Sequence, residues 1–357
     1  FEDANILNLH NLHGGYFNIE HLPELVNRIP TVWTLHDIQP LTGRCAISFD
    51  CNHWESGCGQ CENLNFYPKT KVDASRQMWE RKKEIYANLP LNLVCPSKWM
   101  MKNVNKSILA EKHSSIIYNG VDENLFKPTL GISKSILGLK DNSILIGFVA
   151  QGGLDNPYKG SHFVKKISEK LFNSFPNLHL IEVGGEKTQS DSTARFIQYP
   201  YIEDQNHLVK IYNCLDLLIY PSTADNCPLV VLEAMSCGIP IITFPVGGIP
   251  ELIKHNHSGF ITDEISTKSL IDACIHLINS SNTRKKFGLN ARHRVLNKFT
   301  LNWEPDRKMV DSDLGHLTAK NFRKMMETNK QNIDYNLIKL MKLLNYLILN
   351  DNNEIRN

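Results

Sequence analysis

Short apolar runs alternate with segments whose apolar residues recur at helical spacing, and this alternation occurs twice along the 357-residue chain. It predicts an α/β protein with parallel sheets in doubly wound style. In the first stretch, residues 5–10, 31–36, 91–95 and 115–118 read as strands, with helices near 20–28, 73–87 and 97–107. In the second, strands are expected near 143–150, 179–183, 196–199, 215–220, 239–244 and 259–262, with helices near 160–173, 204–213, 228–237 and 266–280. The connection from Ile38 to Lys71 is long and polar, and a loop of that length inside a compact domain generally has a function of its own. A tight turn at Asn119-Gly120-Val121-Asp122, then Phe126-Lys127-Pro128 and a Gly/Ser-containing stretch, mark a seam. We therefore expect a first domain over 1–127, a second over 128–300 and a helical tail over 301–357. In that tail Leu337, Leu340, Met341, Leu344, Leu347 and Ile348 share one helical face. The chain opens on Phe1, without an initiator Met and close to a strand, so the first domain is expected to be incomplete.

Composition narrows the classes. With 42% hydrophobic and 21% charged residues the chain can bury two cores. A formal charge of +2 is too balanced for nucleic acid to be the main partner. The longest apolar region, 229–250, is interrupted by Glu233, Ser236 and three glycines, so it reads as a buried helix and strand and not as a membrane span. Cys95, Cys214, Cys227, Cys237 and Cys274 stand singly in apolar surroundings, as reduced cysteines of a cytosolic protein do. A cytoplasmic location is expected. The tail helix should pack back on the body, with peripheral contact at the inner face of a membrane as the lesser alternative.

The chemistry concentrates between Asp225 and Pro240. Pro228 suits the first helical position and Gly238 the left-handed residue just past the end, so the helix should run from 228 to 237. The amides of Leu229 and Val230, at the positive end of the helix dipole, suit a diphosphate. Glu233 lies one turn further on, and helical side chains lean toward the N-terminus, so its carboxylate can accept from a ribose diol. Asp225 and Asn226, just before the helix, are placed for the hydroxyls of a sugar. The bland alternative is a capped amphipathic helix with two incidental acids.

A second cluster lies in the long loop. Cys45, Cys51, Cys58 and Cys61 follow C-x5-C-x6-C-x2-C, a density that favours a structural zinc over two disulfides or free thiols, with His53 as a substitute ligand.

The strings Tyr118-Asn119-Gly120-Val121-Asp122, Tyr158-Lys159-Gly160, Tyr220-Pro221-Ser222 leading into Asp225 through Pro240, and Gly247-Gly248-Ile249-Pro250-Glu251 occur in the order and spacing of retaining glycosyltransferases of family 4. The chain resembles that family over about residues 1–300. Thr34-Leu35-His36-Asp37, Gly43-Arg44-Cys45, the cysteine loop and Pro96-Ser97-Lys98-Trp99 are similar to a subgroup that builds bacterial surface polysaccharides. The resemblance implies a GT-B fold, two Rossmann-like domains facing a cleft, with the nucleoside-diphosphate sugar held mainly by the second. It makes Glu233 the ribose-binding acid, Asp225 a shortened version of an acid that is commonly Glu, and Lys159 the lysine that neutralises the leaving diphosphate. The arginine that many members carry shortly before that lysine has no counterpart in Gln151 to Tyr158. His36, at a strand end, is expected to meet the donor sugar, unless it is simply a packed or capping residue. Gly247 and Gly248 allow close backbone approach to a ligand, or form an ordinary tight turn. The implied reaction moves a hexose to a hydroxyl of a glycan or lipid-linked acceptor with retention at the anomeric carbon. No cofactor, and no divalent metal, is expected for catalysis. A nucleotide-sugar epimerase of the same architecture and a non-catalytic scaffold are the alternatives.

Overall fold

A computed structural model describes residues 4, 6–62, 64–186 and 195–301 of the chain. The expected tail helix lies outside the described residues. The chain divides into two compact units between Asn119 and Gly120.

The first unit is a four-stranded parallel sheet in sequential order, β1 (Leu7–Leu9), β2 (Thr31–Thr34), β3 (Leu91–Cys95) and β4 (His113–Ile116). Its crossovers are α1 (Leu22–Val26), α2 (Ser75–Ala87) and α3 (Lys98–Val104). Ser97 caps α3 by accepting from the Met100 amide at 3.0 Å, which is why that helix begins where Ser follows Pro. The long loop before α2 is folded against the helix. Trp54, Cys58 and Trp79 join the core of this unit, and the Trp79 indole donates to the Trp54 carbonyl at 2.9 Å. Lys82 of α2 is buried, with its ammonium donating to the carbonyls of Gln39 (2.7 Å) and Thr42 (2.9 Å). Burial lowers its pKa to about 8, so the carbonyls carry the solvation that water would otherwise give.

The second unit is a six-stranded parallel sheet built from β5 (Ile144–Val149), β6 (Leu178–Gly185), β7 (Phe196–Pro200), β8 (Leu217–Tyr220), β9 (Ile241–Thr243) and β10 (Gly259–Ile261). Strand order is β10-β9-β8-β5-β6-β7. The apolar runs of β5, β8 and β9 are almost wholly buried, as strands covered on both faces must be. The helices are α4 (Ser161–Ser174), α5 (Gln205–Cys214), α6 (Leu229–Ser236), α7 (Ile249–Leu252), α8 (Thr267–Asn279) and α9 (Ser281–Lys298).

Residues 120–127 pack with the second unit, so the division falls earlier than the expected boundary at 127. Arg292 of α9 explains why. Its guanidinium donates to the carbonyls of Glu123 (2.9 Å), Phe126 (2.8 Å) and Ser236 (3.0 Å), tying this segment to the end of α6. The sequence pattern also passes over α9, which buries only Phe287, Gly288, Ala291 and Val295 in eighteen residues. In both units each crossover returns the chain so that strands point the same way, and loops gather at their carboxyl ends.

Candidate active site

The order of the second sheet reverses between β5 and β8: the chain leaves β5 toward β6 and β7 on one side, then returns to add β8, β9 and β10 on the other. Crevices outside the carboxyl ends of strands at such a reversal are where doubly wound sheets bind ligands. The loop after β5 carries Lys159 and the loop after β8 carries Asp225.

These two loops are stapled together by backbone. Ser222 Oγ donates to the Tyr158 carbonyl at 3.2 Å, and Thr223 N donates to the same oxygen at 3.4 Å. Gly160 sits at φ +75°, and a Cβ there would lie 1.9 Å from the Pro221 carbonyl oxygen, so only glycine lets the loops meet. Asn156 accepts from the Tyr158 amide at 3.0 Å and closes the short turn that ends on Lys159.

The Lys159 ammonium lies 2.5 Å from Asp225 Oδ2 and 3.3 Å from the Tyr220 hydroxyl. Tyr220, the last residue of β8, is buried and donates its own proton to the same Oδ2 at 2.5 Å. Burial and the neighbouring Asp225 charge push the phenol well above its ordinary pKa, so it stays a donor. The other oxygen, Oδ1, accepts from the Asn226 amide at 3.0 Å. Asp225 is fixed from behind as well. Gly248 N donates to its carbonyl at 3.2 Å, and Gly247, at φ +55°, has room for no Cβ because the Asp225 carbonyl oxygen would be 1.7 Å away. In the structure, the Gly247-Gly248 turn is thus the seat of Asp225.

Helix α6 begins one residue later than the spacing predicts. Pro228 is extended (φ −67°, ψ 126°) and forms the N-cap instead of the first helical position, and no side chain caps the helix. The amides of Leu229, Val230 and Val231 precede the first intrahelical bond, which Leu232 makes to the Pro228 carbonyl at 3.4 Å. Gly238 takes the left-handed conformation just past the end, as expected. Glu233 is half-buried one turn into this helix. Its Oε2 accepts from the hydroxyl of Tyr212, a fully buried residue of α5, at 2.9 Å; Oε1 has no protein partner among the described residues. Burial pushes the Glu233 carboxyl up to about 7, against the downward pull of the Tyr212 hydrogen bond.

In the first unit, His36 follows the end of β2, and its Nε2 lies 2.8 Å from His10 Nδ1, with the two rings stacked at 5.0 Å. His13 Nε2 lies 2.7 Å from Asp37 Oδ2, while Asp37 Oδ1 accepts from the Gln39 amide at 2.8 Å. Among the described residues the loop cysteines Cys45, Cys51, Cys58 and Cys61 form no disulfide. Gly43 N donates to Cys58 Sγ at 3.2 Å, and Arg44 Nη2 stands 3.7 Å from Cys61 Sγ. Among the described residues no three His, Cys, Asp or Glu side chains are gathered as metal ligands. An Asp-x-Asp pair, a common minimum for a divalent cation, stands at Asp311 and Asp313, outside the described residues.

Residues 132–294 match the family model "Glycosyl transferases group 1". The second unit is a glycosyltransferase group 1 domain. Two curated relatives extend the likeness. The putative colanic acid biosynthesis glycosyl transferase WcaC of Escherichia coli K12 is 25% identical over 279 residues, covering 72% of this chain and 64% of that protein. An Escherichia coli UDP-Gal:alpha-D-GlcNAc-diphosphoundecaprenol alpha-1,3-galactosyltransferase is 27% identical over 203 residues, 52% of this chain and 50% of that one. The chain thus spans between half and two thirds of the length of these relatives. Among solved structures, Anabaena Alr3699/HepE in complex with UDP aligns with a TM-score of 0.61 at 18% identity, over 84% of this chain and 75% of that one. That likeness extends beyond the group 1 domain, and the fold is of GT-B type, with two Rossmann-like parallel units.

The structure brings Lys159, Asp225, Asn226 and Gly247-Gly248 into direct contact, and places Glu233 on the helix that follows. His36 belongs to the other unit. Sequence reasoning missed Tyr212 and the role of Tyr220, and it missed His10 and His13. Tyr212 reads only as an apolar position of a helix, and Tyr220 as a strand end that opens the Tyr220-Pro221-Ser222 string, with no role for its hydroxyl. Their hydroxyls become visible once the carboxylates above them are located. Among the described residues no helix is long and apolar enough to cross a membrane.

Proposed function

We propose that the chain transfers a hexose from a nucleoside-diphosphate sugar to a hydroxyl of a glycan or lipid-linked acceptor, with retention, in cytoplasmic assembly of a surface polysaccharide. One observation carries the reading. A lysine, an acid with a seated backbone, a carboxylate with one bare oxygen and a helix N-terminus without a side-chain cap all lie on loops and a helix that follow β5 and β8, at the reversal of the sheet. The names of the polysaccharide relatives, and the UDP bound by a protein of similar fold, support it.

In this reading the diphosphate lies against the amides of Leu229 and Val230, and the ribose diol donates to Glu233 Oε1. Asp225 accepts from hydroxyls of the transferred sugar. The bond from the anomeric carbon to the diphosphate oxygen breaks, and the acceptor oxygen bonds that carbon on the same face. The acceptor proton passes to the departing phosphate oxygen. Negative charge grows on that oxygen, and Lys159 is the cation placed to stabilise it, by turning from Asp225 toward the phosphate. Positioning and electrostatics supply the catalysis, with no acid assigned as nucleophile. For the cysteine loop we retain a structural zinc as a secondary proposal, resting on the spacing of the four thiols.

The test is a thermal-shift screen of nucleotide sugars, followed by calorimetry of the hit with wild type and Glu233→Ala. A hit whose affinity drops in Glu233→Ala, and whose sugar appears on an acceptor with the α or β configuration it started with, is expected. Stabilisation by no nucleotide sugar, or binding indifferent to Glu233, ends the proposal.

A further inference from the structure

Glu233 stands out among the groups at this site because its two oxygens are treated differently. The Tyr212 hydroxyl donates to Oε2 at 2.9 Å, and Oε1 accepts no protein hydrogen bond among the described residues. Tyr212 comes from α5, is fully buried, and packs edge-on against Phe126 at 6.2 Å, so its ring has little freedom to follow the carboxylate elsewhere. Among the described residues the carboxylate is the hydroxyl's one hydrogen-bond partner. A buried phenol that reaches a half-buried acid fixes the acid's rotation, and it favours the ionised form by donating to it.

We infer that Tyr212 is the positioning residue of the donor site: it holds one oxygen of Glu233 so that the other faces the ribose as a charged acceptor. This rests on the donor-site reading above and adds to it a residue that touches no substrate. The chemistry runs one way. Tyr212 itself stays protonated, because burial and the adjacent carboxylate push its pKa well up, so it can only donate. Glu233 titrates at about 7, where loss of that donor has the largest effect on its charge. The other ionisable groups around it are Tyr220 at the end of β8 and Cys237 at the end of its own helix, and both are protonated at neutral pH, held well up and at about 12. Arg292 of α9 lies beyond Cys237, committed to the carbonyls of Glu123, Phe126 and Ser236. Tyr212 is therefore the principal donor to the carboxylate.

Calorimetric titration with UDP, and with GDP in parallel, across about pH 5.5 to 9 tests this in four proteins: wild type, Tyr212→Phe, Glu233→Gln and the double variant. Phe keeps the ring, and melting curves check that each variant is folded. Wild-type affinity is expected to fall as pH drops through about 7. Tyr212→Phe moves that midpoint up by about one pH unit, which weakens binding about fivefold at neutral pH and leaves it nearly unchanged at about pH 9. Glu233→Gln retains only the titration of the nucleotide itself, and adding Tyr212→Phe to it changes nothing. If affinity depends on Glu233 but Tyr212→Phe leaves the midpoint in place, or weakens binding equally at every pH, the positioning role is overturned and the donor site stands. If wild type binds neither nucleotide, the donor-site reading falls and this inference with it.

Discussion

Both units place polar side chains at the carboxyl ends of parallel strands, but they hold them by different chemistry. In the second unit two acids are each pinned by a buried phenol, Asp225 by Tyr220 and Glu233 by Tyr212, and the acid nearer the sheet reversal also takes Lys159. In the first, imidazoles hold one another or a carboxylate, His10 with His36 and His13 with Asp37. A phenol with a raised pKa donates at every pH a cell meets. Two imidazoles in contact need one ring nitrogen bare to accept, so their contact depends on protonation. The contrast teaches that a site's reliability is set one layer below the ligand. The group 1 domain holds its polar side chains in a prearranged way, whereas the first unit holds them conditionally.

The comparison breaks most readily at Lys159. Lys159→Ala is expected to lower kcat by about 10²-fold or more, because the charge that forms on the departing phosphate loses its cation. A rate within about threefold of wild type, in a single-turnover transfer assay, would remove the lysine from the mechanism. Next comes the seat of Asp225. Gly247→Ala forces a Cβ against the Asp225 carbonyl at a left-handed residue, which should cost about 1–3 kcal/mol of stability and most of the activity. Chemical denaturation and turnover of the same sample read both; an unaltered protein would show that the turn yields freely.

Glu233 sharpens the comparison through pH. Its carboxyl titrates at about 7 in the folded protein against 4.5 unfolded, so the folded state binds the extra proton between those values. The stability it contributes is fully present below about 4.5 and is lost as pH rises through about 7. Glu233→Gln should therefore raise the stability of the protein without nucleotide by about 1–3 kcal/mol at pH 8 and change it little at pH 4.5, while weakening UDP. Denaturant melts at the two pH values decide it: equal effects would mean that the acid is better solvated than its burial implies. The smallest effect tests the independence of the units. Elemental analysis is expected to find about one zinc per chain, and removing it with a chelator should leave UDP affinity within about twofold. Absence of zinc from protein purified without chelator would return the four thiols to a purely packing role.

Much of this was legible in the residues. The strand runs of the second unit predict its sheet because strands buried on both faces must be apolar throughout, and Gly238 marks the end of α6 because only a left-handed residue fits there. Pro228 misled by one position, since proline serves an extended cap as well as a first turn. Helix α9 is illegible because it buries so few side chains, and the division lies before the expected boundary because the link that decides it, Arg292 to the carbonyls of Glu123 and Phe126, joins residues far apart in the chain. The same holds at the site. Lys159, Asp225 and Glu233 carry charge and are conspicuous, whereas Tyr212 and Tyr220 matter through one hydroxyl each, and a pattern of hydrophobic spacing counts them as core.

The ion pair between Lys159 and Asp225 has a consequence for selectivity. Each partner already satisfies the other, so a simple anion gains the ammonium only by leaving a carboxylate behind, and a simple polyol gains the carboxylate only by stranding an ammonium. A molecule that joins hydroxyls to phosphates in one frame replaces both halves together. In the proposed donor site the pair thus acts as a filter that discriminates by composite chemistry: it discounts inorganic phosphate and free sugar alike and favours the compound that unites them.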